Sequence, residues 1–193
     1  MIMLTHEDLY TLEHYARIRP EFRAQVIAHK KARRLALGEQ AALYFEDALT
    51  MQYQVQEMLR LERMFEPDLI QDELDVYNPL IPDGHNWKAT FMIEVSDVEQ
   101  RRQALARLVG IEDTVWVRVA GFDKVHPIAN EDLDRSTPDK TASVHFLRFE
   151  LTPEMCRAIK SGVALTAGID HPGYPVALAV PAAVRESLAN DLI

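Results

Sequence analysis

Three ionisable side chains fall on helix faces that should be buried, and they are the strongest candidates for chemistry in this sequence. In a helix predicted from Pro20 to Leu37, His29 and Arg33 are four residues apart, so both side chains project into the apolar face. Glu62 falls at the centre of the apolar stripe of a second helix, predicted from Ala48 to Glu66. An unpaired buried charge costs several kcal/mol. We therefore expect Arg33 and Glu62 to form an ion pair, with His29 beside it.

This cluster has more than one interpretation. It is either a structural salt bridge or a pocket in which Arg33 binds a small anion while His29 or Glu62 transfers a proton. A different helix phase or burial at an oligomer interface also stays open. We predict no metal site, because the Glu-x-x-His spacing of ferritin-like sites is absent and the arginine would repel a cation. The sequence identifies no cofactor.

Two further histidines differ in their surroundings. His171 lies in an Asp-His-Pro turn that follows a predicted strand, a common place for functional groups, and it is a fourth candidate ligand-binding residue. Many Asp-His-Pro turns have only a structural role. His145 shares a predicted strand face with Leu147 and Phe149, which indicates a hydrogen-bonded histidine of the core.

The common catalytic motifs are absent. The sequence contains no Gly-x-Gly-x-x-Gly, P-loop, Gly-x-Ser-x-Gly, His-Glu-x-x-His, Cys-x-x-Cys or EF-hand pattern. This absence does not exclude catalysis, but it removes the easily recognised nucleotide, zinc-protease and serine-hydrolase classes. The single cysteine, Cys156, excludes an intramolecular disulfide, favours a reducing compartment and is expected to be a small buried helix residue.

Composition and charge limit the partners. Of 193 residues 48% are hydrophobic and 26% charged, and the net charge of -9 opposes binding to phosphate backbones and anionic lipids. Four cations between Lys30 and Arg34 are more typical of a solvated helix face than of a nucleic-acid site. The sequence has no apolar run of the roughly 18 residues that a membrane span needs, and its first residues lack the pattern of a signal peptide. We expect a cytoplasmic protein that binds neither membranes nor nucleic acids.

The hydrophobic period changes once along the chain. Residues 1–77 are predicted to be helical apart from one short strand at 43–45, residues 78–86 form a Pro- and Gly-containing linker, and residues 87–193 contain strands interrupted by helices. The fold class predicted is α+β, a helical N-terminal half followed by a mainly antiparallel sheet with helices on one face. The two regions are either separate or packed as one compact unit.

Local signals place the individual elements. Helices are predicted at 5–18 and 20–37, with Gly38 ending the second, and a capping box of Ser96 and Glu99 begins a later helix. A hairpin loop is predicted at 121–123, and Pro181 begins the last helix.

Several runs of this sequence resemble a bacterial family catalogued as domain of unknown function 3501. They are residues 15–23, with Tyr-Ala-Arg-Ile-Arg-Pro-Glu-Phe-Arg, and residues 56–60, 78–84, 145–150 and 170–172. The resemblance spans most of the chain and implies a fold shared across the family. It suggests a redox or oxidative-stress setting, beside rubrerythrin-like and iron-sulfur proteins, but implies no activity and no catalytic residue.

Two functional hypotheses follow. The first is a binding or accessory module that acts beside other cytoplasmic proteins and is compatible with a homodimer. The alternative is an enzyme that acts on a small anionic substrate through His29, Arg33 and Glu62.

Overall fold

A computed structural model describes residues 3–193, so the first two residues of the predicted N-terminal region lie outside the described part. That part contains six α-helices: α1 Leu12–Lys31, α2 Ala48–Glu62, α3 Pro67–Tyr77, α4 Val98–Arg107, α5 Pro153–Lys160 and α6 Ala182–Ala189. It also contains eight strands: β1 Arg34–Ala36, β2 Ala41–Phe45, β3 Asn86–Ile93, β4 Val115–Val119, β5 Ile128–Ala129, β6 Val144–Glu150, β7 Leu165–Ile169 and β8 Val176–Ala179. Short 3-10 helices cover His6–Asp8, Asn78–Leu80 and Ile111–Thr114.

The strands form two antiparallel sheets. One has the order β1-β2-β3-β6-β5 and the other the order β4-β7-β8. The main apolar core contains buried side chains from both sheets and from α4, α5 and α6. The α+β prediction is confirmed, and the strands divide between two sheets. Strands β1 and β2, from the predicted helical half, belong to the same sheet as β3 and β6.

Strand β3 alternates between buried and half-buried side chains. Its inward side chains include Trp87 and Phe91, which are fully buried, while Lys88 and Thr90 on the other face are half-buried. In the antiparallel register Lys88 lies opposite Arg148 of β6. Period-2 alternation on a strand with one buried face therefore places two cations side by side on the outer face of the larger sheet.

Helix α1 corrects the sequence prediction in two ways. The helices predicted at 5–18 and 20–37 are one continuous helix, with Pro20 inside it. The cost of a missing backbone hydrogen bond at Pro20 is offset because Tyr15, Phe22 and Val26 are buried on both sides of the proline. The helix ends at Lys31, since the residues beyond it bury alternate side chains as strand β1.

Other boundaries also differ. Gly38, with φ of 76°, lies between β1 and β2 instead of ending a helix. Asp97, not Ser96, caps α4, because its side chain accepts from the Gln100 backbone N-H. The predicted 121–123 hairpin is reduced to one bridge between Val117 and Val125, because β4 pairs with β7. Strand β8 was not predicted.

A second apolar cluster joins the helical elements. It contains Leu4, three residues of α2, Leu74 of α3 and Ile81, all buried. Cys156 of α5 is buried, as predicted. In the described part of the chain, no helix has the length and apolar character that crossing a membrane requires.

Candidate functional site

Arg33 is buried and fully hydrogen-bonded. Its guanidinium Nε donates to the Phe45 carbonyl oxygen at 3.0 Å, and Nη2 donates to the Glu46 carbonyl at 2.9 Å. The two Nη atoms also hold the Asp191 carboxylate at 2.6 and 3.1 Å, and Nη1 contacts Ser187 Oγ at 3.3 Å. These contacts use all five N-H donors of an arginine. Arg33 therefore links the β2-α2 junction to the C-terminal segment and has no donor left for a ligand.

His29 and Arg33 do lie together, but on a carboxylate that the sequence did not indicate. Asp47 caps helix α2 by accepting from the Thr50 backbone N-H at 2.9 Å. Its second oxygen lies 2.5 Å from Nε2 of His29 and 3.3 Å from Nε of Arg33. The His29 side chain is 32% exposed. A carboxylate that holds one nitrogen of a partly exposed imidazole is an arrangement that orients histidines for proton transfer.

Glu62 lies apart from this cluster. It is the last residue of α2 and is exposed. The expected ion pair between Arg33 and Glu62 is wrong, because Arg33 lies in the turn after α1 and pairs with Asp191 instead. Since Asp191 is 158 residues from Arg33 in the sequence, helix periodicity could not identify it.

A small cavity adjoins the buried ion pair. Its volume is about 280 Å³, and its lining includes Asp47, Asp191 and residues 81–84. Among the described residues, neither His29 nor Arg33 lines it. The two side chains on which the anion-binding hypothesis depends thus do not line this cavity, although Asp47, which contacts both, does.

His171 has both ring nitrogens engaged by backbone groups. Nδ1 accepts from the Gly173 N-H at 3.0 Å, which leaves the proton on Nε2, and Nε2 donates to the Val109 carbonyl at 3.2 Å. These two contacts hold the turn between β7 and β8 against the chain after α4. The geometry accounts for His171 as a turn-stabilising residue.

His145 is fully buried within a polar network. Its Nδ1 accepts from the Asn130 amide at 3.0 Å, and its Nε2 lies 2.8 Å from the Thr141 hydroxyl. The Thr141 and Ser136 hydroxyls in turn donate to the buried carboxylate of Glu112. Burial lowers the pKa of His145, so the imidazole is neutral near pH 7. The network links β6 to the loop that precedes it.

An acidic and partly apolar surface lies at the end of the helical region. Residues 61–77, here called the acidic segment, contain six carboxylates and one cation, Arg63. None of these charged groups forms an ion pair with another described residue. The segment also exposes four large apolar side chains: Leu61 at 60%, Phe65 at 62%, Leu69 at 45% and Val76 at 63%.

A groove separates the end of α3 from the outer face of the larger sheet. It consists of two cavities of about 630 and 660 Å³ that share Asp75, Pro79, Lys88, Glu131 and Arg148, and we call it the sheet groove. Its second cavity has apolar walls that include Val76, Tyr77, Leu80, Leu133, Phe146 and Leu147.

The charges of the sheet groove are mostly paired with one another. Arg148 binds both oxygens of Glu131 at 2.7 Å, and Arg135 pairs with Asp132 while its guanidinium lies 4.6 Å from the centre of the Phe146 ring. In the described chain, no group of three or more His, Cys, Asp or Glu side chains could hold a metal ion.

Sequence reasoning did not identify this groove, although two signals pointed to it. Leu69 and Val76 fall outside the side of α3 that carries Ile70, Leu74 and Tyr77, which indicates exposed apolar residues on an acidic helix. Lys88 and Arg148 occupy the solvent-facing positions of their alternating strands. Neither signal shows that α3 and β6 face each other, because that depends on tertiary packing.

Comparison with known proteins places the chain in a family. The model of a family described as "Protein of unknown function (DUF3501)" matches residues 3–192. The chain belongs to this family. A crystal structure of a protein of unknown function from Burkholderia pseudomallei K96243 is 51% identical to this chain, covers 100% of both chains and has a TM-score of 0.94. No curated protein matches. The resemblance to the DUF3501 family seen in the sequence is thus confirmed over nearly the whole chain.

Proposed function

We propose that this protein is a binding or accessory module that docks a basic, partly apolar segment of a partner protein on its acidic segment. The observation that supports this most is the combination of four exposed large apolar side chains with six carboxylates free of ion pairs within residues 61–77. An exposed apolar surface framed by one sign of charge is typical of an interaction site.

The spacing of the exposed residues on α3 favours a helical partner segment. Leu69, Asp72 and Val76 lie at positions i, i+3 and i+7 of α3, so they form one row along the helix. The inward side of α3 is packed through Leu74. A second amphipathic helix with leucine-like and lysine-like side chains complements such a row, since its apolar face covers Leu69 and Val76 while its cations meet Asp72.

Charge favours a basic partner over a second copy of this chain. The net charge of -9 makes two copies repel each other over a long range. The homodimer suggested by the sequence therefore stays a prediction, and light scattering tests it directly. We keep a cytoplasmic location and a redox or oxidative-stress setting as parts of the proposal. The support for the first is one buried cysteine and no disulfide.

A defined peptide tests the docking proposal. Fluorescence anisotropy of a labelled amphipathic peptide of lysine and leucine, titrated with the full chain at low and physiological salt, should give saturable binding. A peptide of equal charge in which serine replaces leucine should bind at least about tenfold more weakly, a difference of about 1.4 kcal/mol. Binding of both peptides with equal affinity would indicate nonspecific electrostatic binding and overturn the proposal.

Matched variants locate the site. The double substitution Leu69→Ser and Val76→Ser should weaken the leucine peptide about tenfold or more, and Asp72→Lys should slow association and reduce the salt dependence. Val98→Ser is the control for the apolar substitutions, at a residue 70% exposed. Glu186→Lys is the control for the charge reversal, at a side chain 71% exposed. Equal losses of peptide affinity in the acidic-segment variants and in their controls would show that the peptide does not bind at the acidic segment.

A further inference from the structure

Lys88 occupies an unusual position for a lysine. It lies on the outer face of β3 and lines both cavities of the sheet groove, which measure about 630 and 660 Å³. Its side chain is half-buried, and Nζ donates to the Pro79 carbonyl oxygen at 2.6 Å. No carboxylate of a described residue lies within ion-pair distance of this ammonium, whereas Lys124, an exposed lysine, pairs with Asp170.

The surroundings of Lys88 favour the neutral amine. Partial burial lowers the pKa of Lys88, and the neighbouring guanidinium of Arg148 acts in the same direction. The carboxylates of Asp83, Glu131 and Glu150 act against that shift. Asp75, on α3, also faces this groove. A half-buried lysine whose pKa is lowered carries more neutral, nucleophilic amine at a given pH than an exposed lysine does.

We propose that Nζ of Lys88 forms a reversible imine with the carbonyl carbon of a small, uncharged aldehyde bound in the sheet groove. This inference rests on the groove and on Lys88, and does not depend on the docking proposal for the acidic segment.

The chemistry needs no further reactant. The lone pair of the neutral amine attacks the carbonyl carbon, and an N-H proton passes to the oxygen to give a carbinolamine. The carbinolamine then loses its hydroxyl with the second N-H proton as water, which leaves the carbon-nitrogen double bond. One amine and one aldehyde thus give one imine and one water, with no oxidant or reductant. The hydrogen bond to Pro79 uses one of the two N-H protons of the amine and leaves the lone pair free for the attack; this bond breaks when the imine forms, because a neutral imine nitrogen carries no hydrogen.

The walls of the groove define the ligand class. Leu133 and Phe146 offer an apolar surface, and Val76 lies opposite them. The cations and carboxylates that line the larger cavity are equal in number, Lys88, Arg135 and Arg148 against Asp75, Glu131 and Asp132. A cavity with balanced charge and apolar walls favours an uncharged aromatic or aliphatic aldehyde over an organic anion.

Reductive trapping tests the proposal. The full chain is incubated with benzaldehyde and sodium cyanoborohydride at neutral pH, and the labelled peptides are quantified by mass spectrometry over time. Lys88 should be labelled severalfold faster than Lys31 and Lys140, which are exposed and do not line the groove, because its pKa is lowered and the groove holds the aldehyde beside its amine. Labelling of Lys88 at the same rate as these lysines, or more slowly, would overturn the proposal.

Two variants and a second probe distinguish aldehyde binding in the sheet groove from the intrinsic reactivity of the Lys88 amine. Lys88→Arg should abolish labelling at this position and leave the other lysines unchanged. Leu133→Asp should slow benzaldehyde labelling of Lys88 severalfold while labelling by formaldehyde, which is too small to need the apolar walls, changes little. Equal effects on both aldehydes would contradict a binding role of the groove. The comparison of lysines within the unmodified chain remains decisive even if a variant fails to fold.

Discussion

Arg33 and Asp191, which are 158 residues apart in the sequence, form a bidentate ion pair, with Nη2 2.6 Å from Oδ2 and Nη1 3.1 Å from Oδ1. The Arg33 side chain is 2% exposed and that of Asp191 is 9% exposed. Because Arg33 also binds the backbone before α2, the pair links the C-terminal segment to the β2-α2 junction.

Removing one partner of this pair should strongly destabilise the folded protein. Asp191→Ala leaves a buried guanidinium without its carboxylate, and we expect a loss of about 3–5 kcal/mol in the free energy of unfolding. Urea denaturation monitored by circular dichroism measures it. Glu62→Ala is the matched control, because Glu62 is exposed and its loss should stay within about 0.5 kcal/mol. Similar losses for the two variants would contradict the assignment of Asp191 as the partner of Arg33.

Glu57 should make stability depend on pH in the acid range. Hydrogen bonds from Arg19 lower the pKa of Glu57 to about 2, with help from Tyr15 and Arg60. Since the folded-state pKa lies below that of the unfolded chain, the unfolded chain takes up the proton first, and stability falls as the pH drops from about 5 to about 2.

The corresponding variant is Glu57→Gln. We expect it to lower stability near pH 7 by about 1–3 kcal/mol, discounted because Arg19 is partly exposed. It should also flatten the acid limb of a plot of unfolding free energy against pH. An unchanged acid limb in Glu57→Gln would show that other carboxylates dominate acid unfolding.

His145 should add a second pH dependence at higher pH. Because burial lowers its pKa, the unfolded chain binds a proton below about pH 6.5 while the folded chain does not, so stability decreases as the pH falls through that value. His145→Gln should cost about 1–3 kcal/mol at pH 7.5, because Asn130 loses its acceptor. The cost should shrink toward pH 5.5, where the native histidine itself becomes unfavourable. A cost that is constant across this range would contradict a neutral His145.

Gly38 should tolerate alanine less well than other glycines with positive φ. Its φ is 76°, and a Cβ at this position would lie 2.5 Å from Oη of Tyr174. That hydroxyl donates to the Leu37 carbonyl and accepts from the Gln40 N-H, both at 2.9 Å, so it cannot move without losing these bonds.

Gly162 is the control, since its φ is 88° and nothing lies within 4 Å of the place that a Cβ would occupy. Gly162→Ala should cost about 1 kcal/mol from backbone strain alone, and Gly38→Ala about 2–3 kcal/mol. Thermal melts of the two variants compare them. Equal melting temperatures would mean that the Tyr174 contact is not rigid in solution.

Local sequence patterns predict those elements of this protein that depend on near neighbours in the chain. Alternation predicted the buried strand face of His145, Leu147 and Phe149 in β6, the helix predicted from Ala48 begins at that residue as α2, and the expected burial of Cys156 is confirmed. These features follow from neighbours one to four residues away, whose geometry is fixed by the helix and strand repeats.

Tertiary packing decided the rest. Local rules end a helix at Pro20, yet burial of Phe22 and Val26 carries α1 through it. The helix then stops so that Leu35 can join the sheet, and this moves Arg33 out of the helical phase that had paired it with Glu62. Its true partner, Asp191, and the groove around Lys88 depend on contacts between segments distant in sequence. Sequence periodicity does not encode such contacts, because they arise when packed elements exclude water from a shared surface.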